Sequence, residues 1–207
     1  MLVMVENSLI VIEGVDGSGK GTQIELLKKK FPEFLFTREP GGTEYGEKIR
    51  EIMLAKRESY SVLGDFLMFW SLRAELIDTL ILPTIARGVH VISDRFDAST
   101  WAFQVCGEER RNLEPLFERL RSDIMTLAPD LYVVLDLPPE VSAERLKKSG
   151  AASRFDVKPL AFHERVREGY REFSRRFIPS GRIIFIDADR PPEVVHADVV
   201  REIERVL

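Results

Sequence analysis

Residues 14–22 read Gly-Val-Asp-Gly-Ser-Gly-Lys-Gly-Thr, which places Gly14, Gly19 and Lys20 at the spacing with which a backbone wraps a phosphate chain. Glycine lets the main chain approach an anion closely, and the lysine supplies a compact positive charge for the β- and γ-phosphates. The whole run (Gly14, Val15, Asp16, Gly17, Ser18, Gly19, Lys20, Gly21 and Thr22) is therefore a candidate ATP-binding loop. The position after the lysine usually carries a serine or threonine hydroxyl that touches Mg2+, and here it is Gly21. Magnesium retains several waters and often binds through few protein groups, so it is expected on phosphate oxygens, on waters held by Asp94, or on Thr22. The bland reading of the same residues is a tight strand–helix turn with an exposed lysine.

A second group with chemical potential is Asp94-Arg95, which directly follows the apolar run Val89 to Ile92. A carboxylate beside the phosphate loop suits a magnesium contact, and an arginine suits a second phosphate. Standing alone, the pair reads as a surface ion pair at a strand end. Further along, Ser99 and Thr100 have residue types that cap a helix, and Phe103 reads as core.

These groups need a scaffold that gathers loops at one edge. Short apolar runs at Leu9 to Ile12, Leu35 to Thr37, Val89 to Ile92, Tyr132 to Leu135 and Ile183 to Ile186 read as strands. Between them, Thr22 to Lys30, Glu44 to Ala55, Leu63 to Arg87 and Pro191 to Leu207 read as helices. The third is expected to bend near Pro83 and stop at Gly88. Apolar strands without polar alternation, separated by helices, imply a five-stranded parallel sheet covered on both faces, a three-layer α/β fold. Such sheets bind ligands beyond the carboxyl ends of their strands, where every motif above lies.

The 207 residues suit a single domain (1–207), with 44% hydrophobic and 31% charged residues and a net charge of −4. That balance disfavours a general nucleic-acid binder. Cys106 is the sole cysteine, which excludes an internal disulfide and a thiolate-rich metal site. The opening MLVMVENSL shows no basic leader, and no apolar stretch approaches the ~18 residues of a membrane helix. A cytoplasmic protein with no membrane partner is expected.

The segments EGVDGSGKGTQ (Glu13 to Gln23), TREPGGT (Thr37 to Thr43), FLMFWSLRAEL (Phe66 to Leu76) and SDRFDASTWAFQ (Ser93 to Gln104) resemble, in this order, the signatures of bacterial thymidylate kinases. FHERVREGYREF (Phe162 to Phe173) resembles that family's helix after the mobile lid. The resemblance spans nearly the whole chain and implies a P-loop NTPase fold that moves the γ-phosphoryl group of ATP to dTMP, with Mg2+, in a homodimer. It implies that Asp16 accepts from the deoxyribose 3′-OH, Phe69 stacks on thymine, Arg73 donates to the base and Arg95 grips the acceptor phosphate. Arg38, Ser99, Thr100, Phe103 and Gln104 would complete the acceptor pocket.

Lys20, Arg95, Asp94 and Arg154 are the expected catalytic residues, and Asp94 the metal residue. Arg154 lies in a basic, small-residue stretch, ERLKKSGAASRFD, where a short lid is expected at about 147–158. The attacking oxygen belongs to an ionised phosphate, so no general base is needed and none of the three histidines is assigned a role. Two other readings stand beside this one. The Gly-Lys-Gly-Thr run also occurs in adenylate kinases, which suggests another nucleoside monophosphate kinase. A P-loop nucleotide sensor is the third reading, although Asp16, Arg73 and Arg95 would have no use in it.

Overall fold

The computed structural model describes residues 8–55, 61–149, 158–179 and 182–207. Five strands, β1 (Leu9–Gly14), β2 (Leu35–Arg38), β3 (Val91–Asp94), β4 (Leu131–Asp136) and β5 (Ile183–Asp187), form one parallel sheet in the order β2-β3-β1-β4-β5. All six residues of β1 and the first five of β4 are buried, as strands covered on both faces must be.

The helices are α1 (Lys20–Lys30), α2 (Glu44–Leu54), α3 (Val62–Leu76), α4 (Leu82–Ala86), α5 (Asp97–Thr100), α6 (Glu114–Ile124), α7 (Pro139–Ser149), α8 (Leu160–Phe177) and α9 (Pro192–Glu204). Aromatic edges weld several of them together. Phe117 of α6 lies 5.2 Å from Trp70 of α3 and 5.0 Å from Trp101, and Phe173 of α8 lies 5.7 Å from Tyr132 of β4. Removing a fully buried ring such as Phe117 costs roughly 3–5 kcal/mol.

Two elements differ from expectation. The helix expected over Leu63 to Arg87 is interrupted: Ile77–Ile81 takes a wider π-helical turn before α4 restarts with Pro83 at its beginning. Proline has no N–H to continue the ladder, and the wide turn ahead of it accommodates its ring. Gly88 then ends the run at φ 82°, with Val89 N–H donating back to Thr84 O. The third strand begins at Val91 and continues through Asp94, because Leu9 pairs with Val91 and Ile12 with Asp94. Asp94 and Arg95 thus emerge beside the end of β1. The insertion of β3 next to β1 is what brings the two motifs together.

Candidate functional site

The phosphate loop leaves β1 at Gly14, whose φ of 144° and position suit glycine alone: a Cβ there would lie 2.7 Å from Leu135 O and 2.8 Å from Ser18 Oγ. Ser142 of α7 pins the loop from behind by donating to Asp16 O across 2.6 Å. Lys20 folds back over the loop and donates to Gly14 O at 2.9 Å and Val15 O at 3.0 Å. Burial, assisted by the nearby Arg95 charge, lowers the Lys20 ammonium to about 8, although Asp16, Asp94 and Glu13 oppose the shift. The N–H groups of the first turn of α1 have no partners within the helix and provide the anion cradle.

In front of the loop lies a cleft of about 820 Å³ lined by Asp16 to Gln23, Asp94 and Arg95. Its far end is formed by Arg145 and Leu146 of α7 and by Ala188, Arg190, Pro192 and Val195 around the start of α9. Next to it is a narrower cavity of about 140 Å³. Of the residues expected around an acceptor, Asp16, Phe69, Arg73, Arg95, Ser99, Thr100, Phe103 and Gln104 all line it. Asp16, Arg50 and Arg95 line both spaces.

Arg95 adopts φ 73°, uncommon for a residue with a side chain, and its backbone is held by Arg95 N–H to Ile12 O at 2.9 Å and Ser93 Oγ to Arg95 O at 2.8 Å. Nη1 donates to Gly14 O and Ser99 Oγ, each at 3.0 Å, and Nη2 to Asp16 Oδ1 at 2.5 Å. Arg73 is buried and bidentate to Glu39, at 3.1 and 2.5 Å, and also donates to Thr100 Oγ1 at 3.0 Å. Its Nη1 has no hydrogen-bond partner among the described residues. Burial raises the Glu39 carboxyl to about 7, with Arg73 only partly offsetting it. Phe69 is half-buried against the cavity, whereas Trp70 beside it is core.

Arg38 departs from the expected set. Although paired in register with Asp94, it turns to α2, donates to both carboxylate oxygens of Glu47 at 3.2 and 2.6 Å, and lines neither space. Glu47 also accepts from Gly42 N–H, so this pair closes the loop between β2 and α2. Arg154 lies outside the described residues. Among the described residues no cluster of three His, Cys, Asp or Glu side chains is placed to hold a metal ion. Asp94 Oδ1 and Ser18 Oγ are nonetheless buried without hydrogen-bond partners among the described residues. An orphaned carboxylate oxygen at the cleft fits a cation held mainly by phosphate and water.

Glu39 and Arg50 were not singled out in the sequence. Glu39 falls within TREPGGT and Arg50 within the helix expected over Glu44 to Ala55, where neither carries an assigned role. The contact between Arg50 Nη1 and Pro40 O, from one element to the loop before it, gave no local signal.

A parallel sheet with a phosphate loop on its central strand, and a second cavity that shares Asp16, Arg50 and Arg95 with the loop's cleft, is the architecture of a P-loop NTPase that handles two nucleotides. The chain belongs to the thymidylate kinase family, whose sequence profile matches residues 12–199. It is similar to the thymidylate kinase of Pelotomaculum thermopropionicum, with 39% identity over 98% of this chain and 95% of that protein. The thymidylate kinase of Chlorobium chlorochromatii is 36% identical over 96% and 95% of the two chains. The crystal structure of thymidylate kinase from Ehrlichia chaffeensis matches with a TM-score of 0.77 and 26% identity, covering 95% of this chain and 98% of that one.

Proposed function

We propose that this protein transfers the γ-phosphoryl group of ATP to the 5′-phosphate of dTMP, giving dTDP and ADP. The observation that carries the reading is Arg95, which lines the phosphate-loop cleft and the adjoining cavity at once. A nucleotide sensor has no use for a cation placed between two such spaces.

In this reading the loop amides and Lys20 hold the donor phosphates, with Lys20 exchanging its two loop carbonyls for phosphate oxygen. Phe69 stacks on thymine, and the unpaired Nη1 of Arg73 donates to a base acceptor. Asp16 accepts from the deoxyribose hydroxyl, while Arg95 orients the acceptor phosphate. The nucleophile is already anionic, so the side chains contribute alignment and positive charge. Mg2+, when bound, neutralises the β- and γ-phosphate oxygens; Asp94 is the residue that would hold it, and Gly21 and Thr22 line the same cleft.

No helix among the described residues is long and apolar enough to cross a membrane. A cytoplasmic location is part of the proposal, as are a single domain over 1–207 and a lid at about 147–158. So is a homodimer built on α3, whose Leu63 and Leu67 side chains are exposed.

The deciding experiment is a coupled ADP-release assay with dTMP, AMP, CMP and GMP offered separately. Stimulation by dTMP at least tenfold above the others is expected. A different preferred acceptor, or none, would overturn the proposal.

A further inference from the structure

The Tyr170 hydroxyl is fully buried yet meets four polar atoms of the phosphate-handling elements. It donates to Glu13 Oε2 (3.1 Å) and lies 3.0 Å from Ser99 Oγ, 3.3 Å from Arg95 Nη1 and 3.4 Å from Gly14 O. Glu13 is itself fully buried at the end of β1. It accepts from Phe96 N–H at 2.8 Å, from Ser99 N–H at 3.1 Å and from Ser99 Oγ at 2.5 Å. With the Ser99 proton committed to Glu13, Ser99 Oγ and Tyr170 OH both offer lone pairs to the same nitrogen of Arg95.

The sequence contains a device that delivers this hydroxyl. Gly169, the preceding residue on α8, lies so close to the helix that carries Trp101–Gly107 that an added Cβ would be 2.9 Å from Ala102 Cα and from Cys106 Cβ. A larger residue would hold α8 away and withdraw Tyr170 from Glu13. Burial, with the Glu13 charge, raises the Tyr170 phenol well above its ordinary value, so it stays a protonated donor.

The two edges of the Arg95 guanidinium therefore differ. Nη1 is fixed by Gly14 O, Ser99 and Tyr170, whereas Nη2 is paired with Asp16, which lines both spaces. We propose that Tyr170 is a positioning residue for phosphoryl transfer: it clamps the inner edge of Arg95 so that the outer edge meets the acceptor phosphate. This rests on the dTMP-kinase reading, in which Arg95 holds that phosphate.

Calorimetric titration of dTMP and of thymidine into wild type, Tyr170→Phe, Arg95→Lys and the double variant tests this. Tyr170→Phe removes one oxygen and keeps the ring. It should weaken dTMP and lower kcat by about tenfold each, the low end for a hydrogen bond to a charged group, while thymidine binds within about twofold of wild type. In the Arg95→Lys background the same change should add little, since its route through the guanidinium is gone. A general packing role predicts equal weakening of both ligands, and that outcome overturns the proposal. A dTMP-over-thymidine preference left unchanged by Tyr170→Phe overturns it too, while leaving the kinase reading intact. A wild type that binds neither ligand overturns the kinase reading and this inference with it. Should Tyr170→Phe fail to fold, Ser99→Ala, which removes the other hydroxyl on Nη1, carries the same expectation.

Discussion

Asp16 and Arg95 neutralise one another across 2.5 Å at the boundary of two spaces that both of them line. The pair is about one-fifth exposed, so water screens it incompletely and its exchange for ligand groups has a real energetic consequence. In the proposed reaction an incoming phosphate takes over the Arg95 charge and releases Asp16 to accept from the deoxyribose 3′-OH. Wild type should prefer dTMP to its 3′-deoxy analogue about tenfold through this charge-assisted hydrogen bond, and Asp16→Asn should abolish that discrimination. Steady-state kinetics with both acceptors checks this. A variant that still rejects the 3′-deoxy compound would dissociate Asp16 from sugar recognition.

Arg50 is the second cation that faces both spaces, and it is anchored to the acceptor loop through Pro40 O at 2.5 Å. Burial, reinforced by Arg38, lowers its pKa, yet an arginine keeps its charge throughout the physiological range. Arg50→Met should reduce kcat by about 10²–10³, as removal of a preorganised transition-state charge does, with a smaller effect on KM for dTMP. Arg154→Ala, in the expected lid, should show the same split. Equal losses in kcat and in dTMP affinity would make either arginine a ground-state binder.

Lys20 yields a pH prediction. Its folded-state pKa is about 8 against an ordinary lysine value of 10.5. Between those values the unfolded chain binds the extra proton, so stability rises with pH across this window. Below about 8 the full burial penalty is present, on the order of 3 kcal/mol. Bound phosphate reverses the desolvation effect and returns the lysine to its charged form. At pH 8.5, where ATP is fully ionised, binding should take up a substantial fraction of a proton. Titration in two buffers of different ionisation enthalpy measures this. Lys20→Arg should abolish the uptake, and an uptake unchanged by that substitution would assign the proton elsewhere.

A Cβ added at Gly21 would meet no atom within 4 Å, and the Gly21 φ lies outside the left-handed region. A side chain therefore fits there. Gly21→Ser should raise stability by about 0.5 kcal/mol through helix propensity, measurable as a modest increase in Tm. It should also increase the gain in ADP affinity on adding Mg2+ over EDTA, by supplying a hydroxyl beside Asp94. Asp94→Asn should erase most of that gain in wild type. A gain that survives in Asp94→Asn would show that the orphaned carboxylate oxygen does not hold the ion.

What could be read from the chain followed the range of the forces involved. The strands were legible because a parallel sheet buried on both faces needs unbroken apolar runs, and Leu9 to Ile12 or Tyr132 to Leu135 can hardly be anything else. The phosphate loop was legible because glycine and lysine at fixed spacing carry their own mechanism. Contacts across long separations were not. Glu39 meets Arg73 34 residues on, and Tyr170 meets Glu13 157 residues back. Neither position differs locally from a loop glutamate or a core tyrosine. Arg38 is the reverse case: its backbone pairs in register with Asp94, but its guanidinium pairs with Glu47 on the next helix and lines neither space.

The Arg73 guanidinium, which lines the acceptor cavity, lies over the Trp70 ring at 4.5 Å, whereas the only other indole, Trp101, packs against Phe117, Phe177 and Arg176. The molecule therefore carries an intrinsic optical gauge of its nucleoside pocket. A Trp101→Phe background would leave a single tryptophan, excited selectively over the four tyrosines, whose brightness follows the guanidinium as the base arrives. Inhibitors of that pocket could then be ranked in plain buffer, without a coupled enzyme or a dye.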